Sequence, residues 1–147
     1  MKIEEITSNI LNYFSSNFST YLKGESSTIP TPSSYIEGDI DILSGEEVNF
    51  ILCVNELIFN ELENCSDLLE VGCTIFIIFK IKQKKADANK IVKQYSNALY
   101  KIVKENNSLG DVVNYSKTNK MEFYETVENT QFNTKILSCD IRFFKEI

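Results

Sequence analysis

Val71-Gly72-Cys73-Thr74-Ile75-Phe76-Ile77-Ile78-Phe79-Lys80-Ile81 opens the stretch that decides the fold; Ala88, Ile91, Val92, Tyr95, Ala98, Leu99, Ile102 and Val103 continue it, and Asn106-Asn107-Ser108-Leu109-Gly110 closes it. The first run alternates with period two, as a strand does. The second repeats at the i, i+3, i+4 spacing of one helical face, which predicts an amphipathic helix from about 85 to 105. Phe76 and Ile78 make the strand apolar on its second face too, so its centre is expected to be covered on both sides. A strand, a helix, a Gly-containing stop and the resumed strand signal of Val112 and Val113 point to a layered α+β fold.

Outward from this stretch, Ile3, Ile6, Ile10, Phe14, Phe18 and Leu22 predict an N-terminal helix over about 3–22, ending before Gly24. Residues 24–34 hold both prolines and a run of Ser and Thr, and read as a loop. From Tyr35 to Gln83 the period is two. Strands are expected at 35–42, 48–54 and about 57–62, the last ambiguous with a short helix, and at 70–83, with a hairpin turn at Ser44-Gly45-Glu46 and Gly38 at a bulge. Beyond Gly110 the chain predicts strands at 112–118, 121–124 and 135–145, with Glu125 to Asn133 as a loop. The expectation is one α+β domain over 1–147: a mostly antiparallel sheet, with the N-terminal helix and the long amphipathic helix packed on it.

Composition narrows the chemistry. The net charge of -6, with one arginine (Arg142), argues against phosphate-backbone binding as the main task. Lys80, Lys82, Lys84 and Lys85 form one basic cluster beside the Ile75–Phe79 run, where charge guards a strand against aggregation. There is no histidine, which removes Ser-His-Asp and Cys-His catalysis, and the five glycines form no phosphate-cradling loop. Cys53, Cys65, Cys73 and Cys139 lack paired metal-ligand spacing; Cys73 and Cys139 lie on apolar strand faces and read as buried thiols in a reducing compartment. No apolar segment reaches membrane-span length and none heads the chain as a signal, so an intracellular origin is expected. No catalytic residue, metal or cofactor is expected.

One stretch keeps an enzymatic alternative open. Asp39 and Asp41 in Gly38-Asp39-Ile40-Asp41-Ile42-Leu43 would project from one strand face about 7 Å apart, where a divalent ion can bridge them. This resembles the Asp-x-Asp strand of minimal nucleotidyltransferases, whose preceding Gly-Ser helix start has its nearest counterpart at Gly24-Glu25-Ser26. A restriction-type nuclease signature fails at Ile78, Lys80 and Lys82. A small α+β interaction module is the other alternative.

The element order resembles the tail terminator proteins of tailed phages and phage tail-like particles, and the resemblance is sharpest from Tyr95 to Val113. In that family a helix of this kind commonly ends in Asn-x-x-Leu-Gly-Gly before a strand; here Asn106 to Asp111 carries the pattern, with Asp111 in place of the second glycine. The resemblance implies a non-enzymatic homo-oligomer, a hexameric ring that caps the finished tail tube and joins it to a neck or connector protein. It implies contact with the sheath in contractile particles, DNA only in passage, no membrane, and a location in the virion tail after assembly in the bacterial cytoplasm. Glu37, Asp39, Asp41, Glu46 and Glu47 are then candidates for an acidic channel wall that does not hold DNA, and Phe76 and Ile78 for assembly contacts.

Overall fold

The computed structural model describes residues 2–38, 48–63, 66–81, 85–127 and 133–147. Within them the order is α1 (Ile3–Glu25), β1 (Ser34–Glu37), β2 (Val48–Glu61), β3 (Asp67–Ile81), α2 (Lys85–Glu105), β4 (Tyr115–Val127) and β5 (Asn133–Glu146). The five strands form one sheet in the order β1-β2-β3-β5-β4, antiparallel except where β1 pairs parallel to β2. The chain is an α+β protein, with two helices and a mostly antiparallel sheet among the described residues.

The helices share one face of that sheet. Ile6, Ile10, Phe14, Phe18 and Leu22 of α1 are buried in the same cluster as Tyr95, Leu99 and Ile102 of α2. The sheet contributes Phe50 and Leu52, Val71 to Phe79 at alternate positions, and Leu137, Cys139, Ile141 and Phe143. Aromatic rings join the layers: Phe14 and Phe18 lie 5.5 and 5.4 Å from Phe50, and Phe79 lies 5.0 Å from Tyr95. Such ring pairs add directional attraction to burial. The helices run antiparallel, with Tyr21 donating to Glu105 Oε2 (3.0 Å) and Lys101 bridging Glu25 (3.2 Å).

Two expectations are corrected, and a third falls outside the described residues. The apolar runs 48–54 and 57–62 belong to one strand, β2, which passes over Asn55 with a register shift between Val54 and Glu56. Likewise 112–118 and 121–124 merge into β4, with a shift between Thr118 and Lys120. A β-bulge absorbs one extra polar residue without ending the strand, so a local break in alternation misreads as a boundary. A hairpin is also expected at Ser44-Gly45-Glu46; the described strand β1 pairs parallel to β2, whereas a tight hairpin joins antiparallel strands. Residues 44–46 themselves lie outside the described residues.

After α2 the backbone enters the left-handed region at three successive residues: Leu109 (φ 50°), Gly110 (φ 62°) and Asp111 (φ 70°). The turn is held by Leu109 N–H on Asn106 O (2.9 Å) and Val113 N–H on Ser108 O (3.0 Å), while Leu109 is fully buried. Asp111 therefore occupies a conformation that glycine adopts at lower cost.

Candidate assembly surface

The sheet face turned away from the helices is divided by the two bulges. Strand register traces one row through Val54, Cys73, Ile141 and Thr118, and the extra residues Asn55 and Asn119 stand beside that row at its opposite ends. On the side of β1, this face is apolar: Ile51 and Ile78 are buried, and Phe76 and Ile136 are half-buried. Around the bulges it is polar, and beyond them it is mixed, with Ile58, Phe144 and Tyr115 in one row with Glu70. Asn55 Nδ2 donates to Thr74 Oγ1 (2.6 Å), which donates to Asp140 Oδ1 (2.9 Å).

Arg142 spans the next row. It bridges Glu56 and, at 3.2 Å, Glu70, and it crosses over Gly72. A Cβ on Gly72 would lie 2.8 Å from Glu56 Cγ and 3.1 Å from Arg142 Nη1, so the bare backbone is what admits this ion pair. The hydrogen bond to Glu56 leads the contacts that raise the guanidinium's pKa. Lys120 pairs with Glu122 (2.7 Å) and approaches Asp140 (3.8 Å); the first bond raises the lysine's pKa and lowers the glutamate's. Glu56, Gly72, Arg142 and Asp140, with Asn55, Thr74 and Asn119, line a shallow cavity of about 240 Å³.

Among the described residues both sheet edges are open over long stretches. Against the outer side of β2, β1 covers only Asn49 to Leu52; among the described residues no strand pairs there with Val54 to Glu61, where Ile58 is 37% and Phe59 54% exposed. At the other edge no described strand pairs with the outer side of β4, and Tyr115, Phe123 and Tyr124 are exposed there. A groove between β4 and α2 contains two cavities. One, of about 340 Å³, is lined by Tyr100, Val103, Lys104 and Tyr115 to Thr118; the other, of about 330 Å³, by Val92, Lys93, Phe123 and their neighbours. Thr118 Oγ1 is buried and has no hydrogen-bond partner among the described residues.

The residues singled out in the sequence fall in different places. Glu37 is exposed at the end of β1 and accepts a hydrogen bond from Thr7 Oγ1 (3.2 Å). Asp39, Asp41, Glu46 and Glu47 lie outside the described residues, as do Cys65, Lys82 and Lys84. Gly24 sits in the last turn of α1, so residues 24–26 do not start a helix. Ile78 is 1% exposed within the single chain and Phe76 is half-buried, whereas Ile58 and Phe59 of β2 and Tyr115, Phe123 and Tyr124 of β4 are exposed. Cys73 and Cys139 are buried, and desolvation pushes both thiols up to about 12. The open half of β2 and the two bulge asparagines were missed; the signal was the polar pair Asn55-Glu56 inside an apolar run.

Among the described residues no three Cys, Asp or Glu side chains gather as a metal site, and no helix is long and apolar enough to cross a membrane. Scanned against protein-family models and against curated proteins, the sequence has no match.

Proposed function

We propose that this chain is a structural assembly protein that works as a ring, in the manner of the tail terminators it resembles: it caps the finished tail tube and joins it to the neck. One observation carries the reading. Among the described residues the sheet is open at two unlike edges, each bearing large exposed apolar side chains. An uncovered edge is a template for strand pairing, and a protein with two different edges that fit one another makes head-to-tail contacts, which form a ring where the rotation between copies closes. The helices, by contrast, spend their apolar faces inside the chain. Binding and closure then constitute the whole activity, with no turnover.

In this reading a hexamer rests on the tube protein and presents its other face to the neck, in the virion tail. The acidic balance suits a wall past which DNA slides, with Glu37, Asp39, Asp41, Glu46 and Glu47 as its proposed carboxylates. The test is electron microscopy of tail tubes grown from the tube protein encoded beside this chain, with and without the chain added. Capped tube ends and arrested growth are the expected result. Tubes that neither bind the chain nor stop growing overturn the proposal, as do gene neighbours drawn only from metabolism.

A further inference from the structure

The strand register allows the ring contact to be assigned, an inference that rests on the ring reading above. We infer that the open segment Val54–Glu61 of one copy pairs antiparallel with the start of β4 in a second copy and that its side chains enter the groove between that copy's β4 and α2.

Direction supports this first. Through the order β2-β3-β5-β4, each neighbour antiparallel to the last, β2 runs antiparallel to β4 within one chain. A second copy displaced along the sheet, with its helices on the same side, brings its β2 antiparallel to the first copy's β4. Height agrees as well. Ile58 shares a row with Glu70, Phe144 and Tyr115, so the open half of β2 and the beginning of β4 lie at the same end of the sheet. The bulges at Asn55 and Asn119 bend both strands close to where the cover of β1 ends, which makes room for β1 of the incoming copy.

The side chains match on both faces. On the face away from the helices, pairing by row sets Ile58 against Tyr115 and Glu56 against Lys117. On the helix face, Phe59 and Glu61 point toward the groove that Tyr100, Val103 and Lys104 line. Apolar groups thus meet apolar groups and acids meet bases. Moreover, Glu61 and Glu63 make no ion pair among the described residues, and neither do Lys104 and Lys117. A twofold β4–β4 contact is less well matched: its acids Glu122 and Glu125 are already held by Lys120 and Lys135.

The test uses two charge-swapped full-length chains, Glu61→Lys with Glu63→Lys and Lys104→Glu with Lys117→Glu, followed by native mass spectrometry and light scattering. All four side chains are exposed, so the swaps leave the core untouched. Wild type is expected to form a closed ring, and each swapped chain to self-associate at least about tenfold more weakly. A one-to-one mixture is expected to recover a ring in which the two variants alternate. The control Glu4→Lys with Glu5→Lys repeats the charge change on α1 and is expected to assemble like wild type.

Rings unaffected by either swap overturn this assignment and leave the ring reading standing. Loss of assembly in the lysine-swapped chain alone indicates β4–β4 pairing and also overturns it. A wild-type chain that stays monomeric at the highest concentration it tolerates overturns it too, while tube capping remains a separate measurement.

Discussion

Gly110 and Asp111 show how much a single backbone angle decides. Both hold positive φ in the turn that carries α2 into β4, and only glycine does so without crowding its Cβ. Gly110→Ala is expected to cost roughly 1–2 kcal/mol, with its Cβ only 3.4 Å from Tyr13 Cε2. Asp111→Gly is expected to stabilise by about 0.5–1 kcal/mol. Urea denaturation checks both: the midpoints move in opposite directions at an unchanged slope, and equal shifts of one sign would refute the strain argument. The tail terminator pattern Asn-x-x-Leu-Gly-Gly places a second glycine where this chain strains an aspartate. The need for a turn at Asn106–Gly110 was legible; the left-handed state of Asp111 was not, because aspartate alone does not announce it.

At the scale of elements, α2 matches its expected span, Lys85–Glu105, because one apolar face repeats over its whole length. α1 runs three residues past Leu22, ending where Ser26 N–H meets Leu22 O (3.0 Å). Its last turn includes Gly24, with Lys23 and Glu25 on either side, and so carries no apolar periodicity to read. The Pro-containing loop after it is tied down by Tyr95, whose hydroxyl donates to Pro30 O (2.5 Å) from within the core. Tyr95→Phe is expected to cost about 1 kcal/mol, since it leaves that carbonyl without this donor while keeping the ring against Phe79. A thermal melt that leaves Tm unchanged would mean that solvent replaces the bond freely. For β2 and β4, element type was legible and continuity was not: Asn55 and Asn119 interrupt the alternation locally, while the neighbouring strands carry each strand through its bulge.

For the whole molecule, the buried thiols set an alkaline limit. Cys73 and Cys139 lie on the helix face of the central strands, and burial pushes each from its ordinary value near 9 up to about 12. Between those values the unfolded chain has released the thiol protons and the folded chain has kept them. Unfolding therefore releases protons, and stability falls as pH rises through this window. Below pH 9 the contribution is fully present. Denaturation at pH 8 and pH 10.5, compared with a Cys73→Ala, Cys139→Ala chain, tests the sign: wild type is expected to lose more stability than the variant on going up. An equal loss in both would assign the alkaline limit to other groups.

What the sequence by itself determined was the α+β class, the apolar faces of both helices, the burial of Cys73 and Cys139 and the presence of β-strands, all of which follow from residue periodicity of 3.6 or 2 along the chain. Only the tertiary structure decided that β1 pairs parallel to β2, which strands flank β3, and that β2 and β4 expose their edges at the same end of the sheet. The reason is physical. Periodicity records which face of an element is buried, whereas strand order and direction are set by hydrogen bonds between distant segments, which leave no periodic mark on either one.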